Sequence, residues 1–367
     1  MKIPFFNYPE LYLSEREEFL SVLDKTLSNG SFIMQDELFK FETELAKYLN
    51  VKHAIGVADG TMALLISLVA AKIGNDDEVL VPSHTFVASA AAIKHSGAKP
   101  VLVDCGIDHL IDSSKLEAKI TSKTRAIMPV QLNGRVAQMD SIVNIAKKYN
   151  LLIIEDSCQA LGAKFDDKFA GTFGLTGTFS FFPAKTLGCF GDGGAIITDD
   201  DKIASKVKML RDHGRDEKDG KVKLFGYNSR LDNIQAAILL RRLKNYTSYV
   251  KRRRSLALIY QERLMGLDTL LLPPGPNEDP RHFDIFQNYE IEADDREALR
   301  LHLEKEGIGT ILQWGGFMLH QFKELNLNSG LNHSEEISKK FMLLPMHHLL
   351  KKDEVNFICD KILSFYR

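Results

Sequence analysis

With 367 residues, the chain has room for a large core and a second, smaller unit. Its 44% hydrophobic and 26% charged residues are ordinary for a soluble globular protein, and a formal net charge of −2 provides no global field to draw nucleic acid or an anionic membrane. The four cysteines (Cys105, Cys158, Cys189, Cys359) lie far apart, with no C-x-x-C pair and no histidine-rich spacing, which argues against a disulfide framework and against a zinc or other metal site.

The opening MKIPFFNYPELYLSEREEFL has no basic stretch followed by an apolar run, so no signal peptide is expected. No window approaches ~18 uninterrupted apolar residues, so no membrane span is expected, and the location expected is cytoplasmic. From about Phe39 to Arg241, short apolar runs alternate with amphipathic stretches. Runs at 51–57 (VKHAIGV), 78–81 (EVLV), 100–103 (PVLV), 126–130 (AIMPV), 151–154 (LLII), 178–182 (TFSFF) and 194–197 (GAII) predict strands. TMALLISLVAAKIG, FVASAAAIKHSG and MDSIVNIAKKYN predict helices between them. This order predicts an α/β fold with a mostly parallel sheet in a large domain, residues 1–245. Ligands on such sheets bind at the carboxyl ends of strands.

After Leu243 the character changes. A charged helix, KNYTSYVKRRRSLALIYQERL, leads into the loop LPPGPNEDP, then FDIFQNYEIEA (strand), DREALRLHLEKEG (helix), IGTILQW (strand) and a helix around DEVNFICDKILSFY. These predict a smaller α+β domain, residues 246–367. The RRR at 252–254 has no aromatic-interleaved basic patch, so it reads as a solvated helix face or a subunit contact.

Residues able to do chemistry fall just after the apolar runs. LLIIEDSCQALGA (151–163) ends a strand in Glu155-Asp156, where a carboxylate can also be a plain helix N-cap. TFSFFPAKTLGCFGDGGAIITDD (178–200) delivers Lys185 among apolar and small residues, a costly place for an amine unless it is paired or covalently used. Burial lowers a lysine pKa, which suits Schiff-base chemistry. In VADGTMALL (57–65), Gly60-Thr61 opens a helix after a strand, which makes either an anion site or a capped turn. Ser180 can add a hydroxyl. In VPSHTFVAS (81–89), Phe86 stands at a strand end, where it can lie on a ring or pack in the core.

The ordered set of GT, TF, ED-x-x-Q and S-x-x-x-x-K with its glycine run resembles the DegT/DnrJ/EryC1/StrS family of nucleotide-sugar aminotransferases. These are fold type I (aspartate aminotransferase-like) enzymes of pyridoxal 5′-phosphate (PLP), and the resemblance runs from residues 31–49 to 343–355. It implies that Lys185 carries the cofactor as a Schiff base and shuttles a proton. It also implies that Asp156 faces the ring nitrogen, Gln159 the ring 3-oxygen and Phe86 the ring face, with Gly60, Thr61 and Ser180 on the phosphate. GYNSRLDNIQAAIL (226–239) matches a segment that crosses a dimer interface, so Asn228 would reach the neighbouring subunit's phosphate, with Arg230 close to the same shared site.

A dehydratase branch with histidine in place of the lysine is disfavoured by Lys185. A nicotinamide dehydrogenase is disfavoured because no G-x-G-x-x-G opens a helix after the first strand. The implied reaction is amino transfer from L-glutamate, by way of pyridoxamine phosphate, to a 3-keto sugar on UDP or dTDP, in aminosugar synthesis for surface polysaccharide. A 4-keto sugar substrate and a non-catalytic regulator on the same fold are the alternatives. One segment departs from the family pattern: Gln313-Trp314-Gly315-Gly316 and His320 stand where many members carry His-Tyr-Pro. Arg230, His84, Gln313 and His320 are the candidate substrate contacts, with Trp314 read as a packing residue.

Overall fold

In the computed structural model, which describes residues 1–366, the seven apolar runs become the strands of one sheet. They are β1 (His53–Val57), β2 (Glu78–Pro82), β3 (Lys99–Val103), β4 (Thr124–Ile127), β5 (Leu152–Asp156), β6 (Thr176–Ser180) and β7 (Gly194–Thr198). Their order across the sheet is β1-β7-β6-β5-β4-β2-β3, and only β7 runs antiparallel to its neighbours. Helices cover both faces, which is why β2 and β7 are buried at every residue and carry no polar alternation.

Three crossover helices follow the strands they were predicted to follow. They are α1 (Gly60–Ala70) after β1, α2 (Val87–His95) after β2 and α3 (Met139–Tyr149) after β4. The α1 start is capped by Asp59, whose carboxylate accepts from Met62 N at 2.8 Å. β1, β2, β5 and β6 all run in the same direction, so their carboxyl ends share one edge of the sheet.

A second apolar core lies around a three-stranded antiparallel sheet of β8 (Leu270–Leu271), β9 (Tyr289–Ala293) and β10 (Phe341–Leu344). Three helices supply the rest of that core: α4 (Tyr246–Leu264), α5 (Arg296–Lys305) and α6 (Lys352–Tyr366). The two cores are stitched together. Tyr246 and Val250 of α4 belong to the first and Leu256 and Tyr260 to the second, while Ile3 crosses over to pair with Ile308.

Two expectations are corrected. IGTILQW does not form a strand: it touches β10 through the single Ile311–Leu343 bridge and then coils at Gln313–Gly316. The turn is left-handed at Trp314 (φ 52°) and Gly315 (φ 75°), a conformation in which a strand cannot continue. The RRR segment is not a solvated face either. Arg253 is 4% exposed and donates to the carbonyls of Phe286, Gln287 and Met346, Arg252 to that of Leu350, and Arg254 to that of Asp284. Carbonyls that end strands and turns thereby gain donors, and α4 is fastened to the second unit.

Candidate active site

Strand alternation decides which of two adjacent acids is available. Glu155 points into the protein, fully buried, and accepts from Gln131 Nε2 and from the N–H groups of Gly171, Phe173 and Gly174. Burial nevertheless pushes its pKa up. Asp156, one residue on, faces a cavity of about 590 Å³ at the carboxyl edge of the sheet. Its Oδ2 accepts from Ser89 Oγ at 2.7 Å and its Oδ1 from Cys158 N at 3.2 Å. Ser89 is itself bonded to Thr85 Oγ1 at 2.8 Å, so a hydroxyl relay across the start of α2 fixes the carboxylate.

Lys185 lines the same cavity. Burial lowers its pKa, and Cys158 and Asp156 are near enough to oppose that shift. The turn that presents it is closed by Lys185 N donating to Phe182 O at 2.8 Å. A buried amide then grips both flanks of the lysine. Gln287 Nε2 donates to Ala184 O at 2.8 Å, and its Oε1 accepts from Thr186 N and Thr186 Oγ1, each at 2.7 Å.

Elsewhere on the cavity wall, Gly60 and Thr61 begin α1 and Ser180 ends β6. A Cβ on Gly60 would come within 2.9 Å of both Cys158 Sγ and Ser180 Cβ, so only glycine lets the helix start approach the strand end this closely. The resulting corner offers helix N-terminal N–H groups and a hydroxyl, the donor set that holds a phosphate. Phe86, half exposed, and Trp314 face the cavity with ring centroids 6.3 Å apart. Gln159 is anchored at Oε1 by Asn133 N at 2.8 Å and by Asn288 Nδ2 at 3.4 Å.

Seven expected residues therefore meet in one cavity: Gly60, Thr61, Phe86, Asp156, Gln159, Ser180 and Lys185. Five do not line it. Asn228 is exposed, and Arg230 donates to Asp212 Oδ1 at 3.0 Å. His320 is strutted between Ser83 Oγ (2.6 Å) and Glu335 Oε2 (2.9 Å). His84 is 1% exposed behind Trp314, and Gln313 is 5% exposed, donating to Asn133 Oδ1 and Glu290 Oε2. Three residues went unassigned. Ser89 and Gln287 act on positions 67 and 101 residues away and leave no local signal. Trp314 was legible only as a lone tryptophan before two glycines.

An amine of lowered pKa, a braced carboxylate and an anion corner in one cavity define an enzyme that uses an aldehyde cofactor bearing a phosphate. The residues present fit PLP: Lys185 for the aldehyde, Asp156 for the ring nitrogen, and Gly60, Thr61 and Ser180 for the phosphate. Residues 13–363 match the model of the DegT/DnrJ/EryC1/StrS aminotransferase family, and the chain belongs to that family of PLP-dependent aminotransferases.

Among curated relatives, it is 39% identical to a pleiotropic regulatory protein of Geobacillus stearothermophilus, over 100% of this chain and 99% of the relative. It is 39% identical to the dTDP-3-amino-3,4,6-trideoxy-alpha-D-glucose transaminase of Streptomyces venezuelae, over 85% and 82%. It is 36% identical to a UDP-N-acetyl-3-dehydro-alpha-D-glucosamine 3-aminotransferase of Acidithiobacillus ferrooxidans, over 98% and 97%. Solved structures agree. DesV of S. venezuelae superposes with a TM-score of 0.95 at 34% identity, covering 100% of this chain and 99% of that one. NtdA of Bacillus subtilis, solved with bound cofactor PMP, gives 0.92 at 30%, covering 100% and 85%. Among the described residues, no helix is long and apolar enough to cross a membrane.

Proposed function

We propose that the protein moves an amino group from L-glutamate onto the keto carbon of a nucleotide-linked hexose, at C3 of a sugar carried on UDP or dTDP. The carrying observation is the cavity that gathers Lys185, Asp156, Gln159 and the phosphate corner beneath the Phe86 and Trp314 rings. Relatives named for amino transfer at C3 of such sugars support the choice of substrate. The protein works as a cytoplasmic homodimer in which Asn228 and Arg230 reach the partner's site, and its product feeds surface-polysaccharide synthesis. Residues 1–245 form the cofactor-binding domain and 246–367 the smaller one.

When bound, PLP would supply an electron sink that makes the carbon bearing the transferred nitrogen acidic. Lys185 would take that proton as a base and return it as an acid to the carbon on the other side of that nitrogen; a pKa lowered by burial favours the neutral amine needed for the first task. Asp156, oriented by Ser89 and Cys158 N, holds the ring nitrogen's proton. Gly60, Thr61 and Ser180 bind the phosphate, and Gln159, fixed by Asn133 N, presents its amide to the ring oxygen. Phe86 and Trp314 keep water from the reacting face.

The test is a panel of UDP- and dTDP-linked 3-keto and 4-keto sugars with PLP and L-glutamate, followed by release of 2-oxoglutarate. Release with 3-keto sugars is expected. Release only with 4-keto sugars moves the reaction to C4, and a PLP-bound chain that releases none with any sugar favours the regulator reading that one relative's name carries.

A further inference from the structure

Behind Trp314, outside the cofactor cavity, three buried residues bring metal-ligating atoms within 4.8 Å of one another: His84, His109 and Glu290. They come from the turn after β2, the loop after β3 and strand β9. No sequence spacing could have revealed the cluster, and the expectation of no metal site rested on spacing alone.

His84 is the anomaly. Its ring is 1% exposed, and neither ring nitrogen has a hydrogen-bond partner among the described residues. Its Nε2 stands 3.6 Å from Glu290 Oε2, beyond hydrogen-bond range but suited to sharing an ion. An orphaned imidazole in a buried setting is unfavourable, so a partner is to be expected in the space before it. His109 Nδ1 lies 2.7 Å from Glu290 Oε1. With ligand distances of ~2.0–2.1 Å, a tetrahedral ion holds its ligands roughly 3.3 Å apart. The His84 Nε2–Glu290 Oε2 separation of 3.6 Å is close to that value, while the 2.7 Å between His109 Nδ1 and Glu290 Oε1 is a hydrogen bond that an ion would open.

The surroundings have the form of an outer shell. His109 Nε2 meets Glu292 Oε1 at 3.0 Å, the carboxylate–imidazole–metal arrangement that fixes a ligating ring. Gln313 Nε2 donates to Glu290 Oε2 at 2.8 Å and orients the ligating carboxylate. Glu290 and Glu292 bring two negative charges into this space, and an ion bound here takes the place of the proton that His109 Nδ1 shares with Glu290 Oε1. A small cavity of about 50 Å³ borders His109 and Glu290, with room for water as a fourth ligand.

We propose that His84, His109 and Glu290 bind one divalent transition-metal ion of the zinc class, in a structural site behind the cofactor cavity. The ion ties the large unit to β9. Through Gln313 and Asn133 it also braces Gln159, because Gln313 Nε2 donates to Asn133 Oδ1 and Asn133 N to Gln159 Oε1, each at 2.8 Å.

The test measures metal directly and is independent of turnover. Full-length PLP-loaded protein is dialysed against Zn2+ and then against buffer, and its metal content is measured by mass spectrometry. Co2+ replacement is followed by visible d–d absorption. About one ion per chain is expected in wild type and in the surface control His95→Asn. In Glu290→Gln and His84→Asn, affinity should fall at least tenfold, with folding checked by circular dichroism. Should those variants not fold, Glu292→Gln, which leaves all three ligands in place, should still weaken binding about 10–100-fold. A folded wild type that retains neither Zn2+ nor Co2+ overturns the proposal, and so does binding that survives unchanged in every folded variant.

Discussion

Lys185, the proposed cofactor lysine, is costly to the empty protein. Its folded-state pKa lies below the ordinary 10.5. Between those two values the unfolded chain binds a proton that the folded chain does not, so folding stability rises with pH across that window. The penalty is therefore full below the folded-state pKa and gone above 10.5. Lys185→Met should raise the melting temperature of the cofactor-free protein by a few degrees at pH 7, with the gain shrinking as pH approaches 10.5. Calorimetry across pH checks this, and a gain that grows with pH would contradict the sign. The same substitution should remove the visible absorbance of bound PLP and cut turnover by about 10³-fold or more, measured by 2-oxoglutarate release. Ser89 makes a subtler case. Its hydroxyl is one of two donors holding Asp156, and a hydrogen bond to a charged group is worth about 1.5–3 kcal/mol. Ser89→Ala should therefore weaken PLP binding about tenfold or more in a fluorescence titration. The place of Asp156 on the cavity was legible because it follows a strand end, while its role beside the ring is what the family resemblance implies. That of Ser89 was not, because a serine on a helix face looks alike whether or not a carboxylate sits opposite.

In the proposed mechanism the element that matters most is the turn carrying Lys185, and it is held by a residue far from it in the chain, Gln287. Gln287, just before β9, satisfies the backbone on both sides of the lysine, so the position of the amine depends on how the smaller unit docks. Gln287→Ala leaves Thr186 N and Ala184 O without those partners in a buried setting, at a cost of about 1–3 kcal/mol for each unsatisfied group. The expected result is a lower melting temperature and a roughly tenfold loss in kcat with PLP still bound; unchanged kcat in a folded variant would count against the clamp. Strands β1 to β7 were legible because a doubly covered sheet writes continuous apolar runs into the chain. The stretch 308–314 misled for a related reason: Ile308 and Leu312 are apolar because they pack, while the left-handed turn at Trp314 and Gly315 sets the path. Apolar content reports burial, and only the backbone decides whether a buried segment pairs.

At the scale of the whole molecule, the residues that do not line the cavity are informative. Asn228 and Phe225 project into solvent, Phe225 fully, on a segment beside Asp212 and Arg230, whereas Gly60, Thr61, Phe86, Asp156, Gln159, Ser180 and Lys185 line one cavity. A large aromatic left bare next to an unassigned polar residue is what a subunit contact looks like from one side. If each site draws Lys185 from one subunit and Asn228 from the other, two dead variants can repair each other. In a heterodimer of Lys185→Ala and Asn228→Ala chains, one site carries both lesions and the other carries none. Random reassortment makes half of the dimers mixed, each with one working site of two, so the mixture should recover about a quarter of wild-type activity. Unfolding and refolding the two variants together, then assaying 2-oxoglutarate release, makes the measurement. No recovery would place Asn228 in the same chain's site, because each mixed dimer would then hold two damaged sites and no intact one; an Asn228→Ala chain fully active by itself would place the residue outside the site altogether.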